Sequence, residues 1–415
     1  PMRRQLLFYQ FIFAFYVMLQ SASLGLHDEP VEGLLECDSI SEMLASELSK
    51  QPLSKTQAEK ITKTLVRTIT TRLKEQRKEE WFSKRIDLDG RAMKFEFNTF
   101  GVEPDRGRRL FISMHGGGGA PARVNDRQWE NQIRLYEPEE GIYLAPRAPT
   151  NTWNLWHQEH IDRLFQRVIE DAIVFGNVDP NRIHLMGYSA GGDGVYQLAP
   201  RMADQLAAAA MMAGHPNDAK PFGLRNIGFT IHMGGQDSAY DRNKKAVEWK
   251  EWLRELKDQD PNGYEHSVTI HNEHGHWMQR DDRVAVPWMS QFKRNPYPKK
   301  VVWYQSEVTH DRFYWLKVDS ENCVPNSHVV AAIDGQKITI SKAELIHSLT
   351  IRLNDQLVDL DREIVIQYDG QELFRGRLNR TAAVIGNSLH ERYDPKMVFC
   401  AEVTIELSNS IQTDR

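Results

Sequence analysis

Ile61, Leu65, Ile69 and Leu73 recur every four positions with mostly Thr, Lys and Arg between them. That spacing predicts a helix over 54–80 with one apolar face, set to pack on whatever follows it. From Trp81 to about Lys293 the pattern switches repeatedly between two periods. KFEFNTFG (94–101) alternates as a half-buried strand does, while RRLFISM (108–114) and GIYLAPRA (141–148) are short apolar runs ending at glycines and prolines. Ile161, Leu164, Phe165, Val168, Ile169, Ala172 and Ile173 then follow the i, i+3, i+4 spacing of a helix. Asp179-Pro180-Asn181 predicts a turn, and RIHLM (182–186) a strand after it. AAAAMMAG (207–214), GFTIHMGG (228–235) and HSVTIHNE (266–273) are further strand candidates. A helix with Ala246, Trp249, Trp252, Leu253 and Leu256 on one side separates the last two. Such alternation predicts an α/β fold: a doubly wound, mostly parallel sheet with helices on both faces.

After RNPYPKK (294–300) the texture changes to short β-rich runs: VVWYQSEV, RFYWLKVD, KITI, LTIRL, EIVIQY and VFCAEVTIEL. Asp334-Gly335 and Asp369-Gly370 lie between apolar runs and predict tight hairpins. No long amphipathic helix is evident there. Residues 296–415 are expected to form a C-terminal antiparallel, sandwich-like β domain. Residues 81–295 then form the α/β unit, and 24–80 a linker and the amphipathic helix.

Composition adjusts this picture in three places. The chain has 415 residues, 40% hydrophobic and 26% charged, with a net charge of -5. This suits a two-domain globular protein and gives no reason to expect a nucleic-acid or anionic-membrane partner. Met2-Arg3-Arg4, the apolar stretch 6–19 and the small residues Ser21, Ala22 and Ser23 form a secretory signal pattern over 1–23. A chain exported to the periplasm or beyond is expected, with no stable membrane span after cleavage. An uncleaved anchor is the alternative. Of the three cysteines, Cys323 and Cys400 are the pair that a disulfide would join, and three unpaired thiols are the other possibility.

Candidate chemistry gathers at the strand ends. Gly187-Tyr188-Ser189-Ala190-Gly191 fits G-x-S-x-G between a strand and a helix, where a strained turn presents a serine. His115-Gly116-Gly117-Gly118-Gly119 follows another strand. Its unobstructed N–H groups at Gly116 and Gly117, with that of Ala190, suit a developing oxyanion. Neither glycine stretch reads as a phosphate loop. Asp237 closes the strand GFTIHM, with Asp241 as its competitor, and either could instead cap a helix. His276 lies in a loop past the last strand, with His274 as competitor and His271 still within the strand. The three histidines lack an H-E-x-x-H arrangement, so neither a metal nor another cofactor is expected. Trp153, Trp156 and His157, together with Tyr188 and Trp277 beside the serine and histidine, are candidates for a substrate wall. Asp193 has no evident role.

The order Ser189, Asp237, His276 at strand ends is that of an α/β-hydrolase triad. On SMHGGGG, GYSAGGDG, MGGQD and GHW, residues 81–293 resemble the α/β-hydrolase superfamily. Within it they look most like exported esterases grouped with poly(3-hydroxybutyrate) depolymerases, feruloyl and acetylxylan esterases, and the phospholipase/carboxylesterase group. The HGGG glycines also resemble hormone-sensitive-lipase-like esterases, which carry Asp where this chain has Tyr188. Prolyl-oligopeptidase-type peptidases share the serine turn, but their β domain usually precedes the catalytic one. The resemblance implies hydrolysis of a small-molecule or polymer-linked ester through an acyl-enzyme. A serine peptidase on the same scaffold and a catalytically dead binding protein are the alternatives.

Overall fold

The computed structural model describes residues 40–407. The signal pattern of 1–23 and Cys37 lie outside the described residues.

Eight strands build the larger sheet: β1 (Arg85–Leu88), β2 (Arg91–Phe100), β3 (Arg108–Met114), β4 (Gly141–Pro146), β5 (Val178–Tyr188), β6 (Ala208–Met212), β7 (Gly228–Gly234) and β8 (His266–His271). Their spatial order is β1-β2-β4-β3-β5-β6-β7-β8. β3 to β8 run parallel, and β1 and β2 form an antiparallel edge. β4, β5, β6 and β7 are buried along their whole length, as strands covered on both faces by helices must be. The doubly wound, mostly parallel arrangement expected from the pattern is therefore present. Asp179-Pro180-Asn181, expected to turn ahead of the strand, instead lies inside β5, where the Asn181 N–H donates to Asp179 Oδ1 at 3.0 Å. The sheet accommodates it as an irregularity opposite Arg108–Leu110.

The N-terminal helices are α1 (Ile40–Ala45), α2 (Lys55–Gln76) and α3 (Lys78–Ser83). Ser54 and Gln57 form a capping box at the start of α2. The predicted stripe, Ile61, Leu65, Ile69 and Leu73, is buried. The helices that follow are α4 (Ala122–Gln132), α5 (Glu159–Phe175), α6 (Ala190–Arg201), α7 (Arg242–Gln259), α8 (Ala285–Met289) and α9 (Ala382–Glu391). α2 packs on α5 of the larger sheet and also on α9 of the C-terminal region, so it braces both.

That region holds β9 (Lys300–Tyr304), β10 (Arg312–Phe313), β11 (Leu316–Lys317), β12 (His328–Asp334), β13 (Lys337–Glu344), β14 (Ser348–Leu353), β15 (Ile364–Tyr368), β16 (Gln371–Gly376) and β17 (Ala401–Glu406). They form sheets ordered β16-β15-β13-β12-β9 and β10-β11-β14-β17. Their pairings are antiparallel apart from β13 with β15. Both hairpins form. Asp369 and Gly370 take positive φ at 47° and 75°, whereas the other turn is centred one residue later, on Gly335 and Gln336. Helix α9 is the element of this region that the pattern did not reveal. Its buried face consists of Ala382, Val384, Ile385, Gly386, Ser388 and Leu389, too short and small a set to stand out.

The two regions share a polar interface. Arg392 pairs with Asp204 at 2.7 Å and Arg294 with Asp394 at 2.7 Å, all four buried. The Tyr314 hydroxyl donates to the Ala203 carbonyl at 3.0 Å. Cys323 and Cys400 are both free thiols, so no disulfide joins them. No helix among the described residues is long and apolar enough to cross a membrane.

Asp171 in α5 is fully buried with neither oxygen hydrogen-bonded, and Arg77 Nη1 lies 3.6 Å away. Burial pushes its carboxyl up to about 7. A raised folded-state value means the folded chain retains a proton that the unfolded chain has released. Stability therefore falls as pH rises from the ordinary carboxylate range, about 4, to about 7. Asp171→Asn removes this titration. The variant is expected to exceed the wild type by on the order of 2 kcal/mol at pH 8, with the gap shrinking towards pH 4. Urea midpoints of both proteins across that range check it, and a gap that does not change with pH contradicts it.

Candidate active site

β5 ends at Tyr188 and α6 starts at Ala190, leaving Ser189 alone to make the turn. Its backbone sits at φ 57°, ψ −121°, a conformation that side-chain-bearing residues avoid. The surrounding structure imposes it. A Cβ on Gly187 would stand 2.2 Å from the Gly191 carbonyl oxygen, and one on Gly191 2.1 Å from that of Met114. Only glycine lets strand and helix approach this closely, and the approach turns the serine side chain out at the carboxyl edge of the sheet.

Ser189 Oγ lies 2.9 Å from His276 Nε2, and His276 Nδ1 lies 2.6 Å from Asp237 Oδ2. A carboxylate only accepts, so Nδ1 carries the proton and Nε2 presents its lone pair to the serine hydroxyl. Asp237 follows β7 and is buried. Its other oxygen is 3.5 Å from Arg242 Nη1. The competitors are occupied elsewhere. Asp241 is exposed and paired with Lys244 at 2.7 Å. His274 Nε2 lies 2.8 Å from Asp281 Oδ2, and His271 Nε2 lies 3.2 Å from His232 Nδ1.

The glycine loop after β3 lies against the serine: a Cβ on Gly116 would come 3.1 Å from Ser189 Cβ. Gly117, Gly118 and Gly119 all have positive φ, at 107°, 81° and 57°. His115 is fully buried. Its Nδ1–H donates to the Gly116 carbonyl at 2.6 Å, and its Nε2 accepts from the Ala148 N–H at 3.1 Å. Burial pushes this imidazole down to about 4, so it is neutral near pH 7 and can keep both bonds. It thereby pins the Gly116–Gly117 peptide, directing the Gly117 N–H away from the ring. The Gly118 N–H is committed to Asn125 Oδ1 at 2.8 Å. Asn125 Nδ2 in turn donates to the Ala120 carbonyl and to Asn151 Oδ1.

A cleft of about 780 Å³ opens over the serine. Its lining includes Gly116, Gly117, Tyr188, His276 and Trp277, all of them residues singled out in the sequence. More of it comes from α4 and the residues after it, including Gln128, Asn131, Arg134 and Leu135, with Arg280 also on the lining. This α4 side and Asn125 escaped the sequence reading because α4, ARVNDRQWENQ, has no apolar period to announce it.

The tryptophan loop corrects an expectation. Trp156 is fully buried and cannot meet a substrate. Its Nε1–H donates to the His115 carbonyl at 2.9 Å, so it supports the glycine loop from behind. Trp153 is exposed beside Gly119 and packs edge-on to His157 at 5.5 Å. Neither Trp153 nor His157 lines the cleft. Asp193, for which the sequence suggested no role, accepts the His215 N–H at 2.6 Å and fastens the loop after β6 to α6. No group of three or more His, Cys, Asp or Glu among the described residues is placed to hold a metal ion.

Residues 139–306 match the family model described as the dienelactone hydrolase family, a stretch that includes Ser189, Asp237 and His276. No curated protein matches the sequence. Solved structures similar to the chain include a thermostable esterase, at 18% identity and TM-score 0.39, covering 51% of this chain and 62% of that one. Est1E from Butyrivibrio proteoclasticus is also similar, at 13% identity and TM-score 0.35, covering 50% of this chain and 95% of that one. So is the BES protein from Bacillus cereus, at 10% identity and TM-score 0.35, covering 50% of this chain and 92% of that one. The molecule thus has the α/β-hydrolase fold followed by a β-rich C-terminal region, and the stretch bearing its serine, aspartate and histidine is similar to the dienelactone hydrolase family.

Proposed function

We propose that the protein is a serine hydrolase of carboxylic esters, acting after export directed by residues 1–23. The observation that carries this reading is the hydrogen-bonded chain Asp237–His276–Ser189, at 2.6 and 2.9 Å. Ser189 Oγ attacks the ester carbonyl carbon as its proton passes to His276 Nε2. Asp237 holds the imidazole in the required tautomer and stabilises its cationic form. The negative oxygen of the tetrahedral intermediate is met by the N–H groups of Gly117 and Ala190, with Gly116 leaving room beside the serine. Collapse releases the alcohol, protonated by His276. Water, deprotonated by the same nitrogen, then frees the acid and restores Ser189. No cofactor takes part in these steps.

Pairing short p-nitrophenyl esters with peptide p-nitroanilides tests this function. Turnover of the esters in the range of ordinary enzymes, about 1–1000 per second, with no anilide cleavage, is the expected result. Cleavage of the anilides at a comparable rate would replace the esterase reading by the peptidase one. Inertness towards both would leave a binding protein.

A further inference from the structure

Tyr188 has the position of a substrate contact, since it precedes the serine and lines the cleft. Its hydroxyl, however, is already engaged by backbone groups of another loop. It donates to the backbone carbonyl of His276 at 2.6 Å and accepts the N–H of Met278 at 3.0 Å. A phenol has one proton to give, and both of its directed interactions here go to the histidine loop. The ring is largely buried, edge-on to the His276 imidazole at 6.0 Å and tilted against Trp277 at 5.6 Å.

We propose that Tyr188 is a positioning residue that sets the distance between nucleophile and base, a role that rests on the triad reading above. Tyr188 is the last residue of β5 and is bonded directly to Ser189, so its backbone moves with the nucleophile. Its hydroxyl straddles the loop that carries the base. The upstream half of that loop is tied separately to the segment after β7, by the Gln236 N–H donating to the His274 carbonyl at 2.9 Å. The carbonyl of His276 and the amide of the buried Met278 are tied by Tyr188. Asp237 fixes the rotation of the imidazole from one side. Tyr188 fixes the height of its backbone over Ser189 from the other. Without the hydroxyl, the backbone carbonyl and amide are left to find new partners and the loop relaxes. The 2.9 Å contact between His276 Nε2 and Ser189 Oγ is the distance that suffers. A misplacement on the order of 1 Å at such a contact costs about 100-fold in rate.

The test compares Tyr188→Phe with wild type on one p-nitrophenyl ester, with kcat expressed per active site titrated by a fluorophosphonate. The titration removes any contribution from misfolded protein. Tyr314→Phe, which loses a buried hydroxyl bonded to Ala203 far from the cleft, is the stability control. The expected result is a kcat about 10- to 100-fold lower in Tyr188→Phe, a KM within about twofold of wild type, and an unchanged kcat in Tyr314→Phe. Equal kcat per titrated site in Tyr188→Phe and wild type would overturn the proposal. So would a raised KM with kcat unchanged, which is the signature of a substrate contact. Either failure would leave the triad reading intact, because that reading is tested separately, by the activity of Ser189→Ala and by fluorophosphonate labelling of Ser189.

Discussion

Ser189→Ala is expected to lower kcat on a p-nitrophenyl ester by about a million-fold while the fold is retained. The size follows from how the members depend on one another. His276 has a proton to take only if Ser189 offers one, and Asp237 has an imidazolium to stabilise only if that transfer occurs. Removing the hydroxyl therefore removes the contribution of all three groups at once, and the glycine loop retains whatever it does alone. Alanine in place of serine adds no atoms at a position where φ is 57°, so the strain of the turn is neither relieved nor increased by bulk. Steady-state kinetics and a circular dichroism spectrum check the prediction. A loss under tenfold would contradict it.

The next largest effect is expected at Asp237. Asp237→Asn should lower kcat by about 10,000-fold. The carboxylate accepts the Nδ1 proton of His276 at 2.6 Å and is buried, so no water can replace it easily. An amide in its place can turn its NH₂ towards the ring, which drives the proton to Nε2. The nitrogen facing Ser189 then has no lone pair to offer. Asp241→Asn and His274→Gln are the controls that make this specific. Asp241 is exposed and paired with Lys244, and His274 lies beside Asp281 rather than the serine. Both should stay within about threefold of wild type, since neither side chain bonds to Ser189, His276 or Asp237. An effect at Asp241 as large as that at Asp237 would move the acid to the later position.

Much of this arrangement was legible in the sequence because strand ends are. RRLFISM, RIHLM and GFTIHM bury their apolar residues and HSVTIH is half-buried, and each run leads into a glycine, histidine or asparagine at or next to the end of its strand. In a parallel sheet those ends fall on one edge, so His115, Ser189, Asp237 and His276 were gathered by topology before any distance was known. The choice between Asp237 and Asp241, and between His276 and His274, was not legible. It depends on side-chain direction after the strand, which no period encodes. The far wall of the cleft was hidden for a different reason. Its residues sit on α4, whose buried members Asn125 and Gln132 are polar and held by hydrogen bonds instead of apolar packing. Trp156 misled in the opposite sense: a large aromatic side chain in a loop suggested a substrate wall, and it is instead core under the glycine loop. Tyr188 was placed correctly on the cleft, but a hydroxyl bonded to two backbone groups of another loop leaves no trace in sequence.

The central claim is that Ser189 is a nucleophile activated by His276. It is tested most directly by reacting the folded protein with a fluorophosphonate and locating the adduct by peptide mass spectrometry. One adduct per chain is expected, on Ser189, absent from Ser189→Ala and formed much more slowly in His276→Ala. No adduct on folded wild-type protein, or equal labelling of Ser189→Ala, would contradict it.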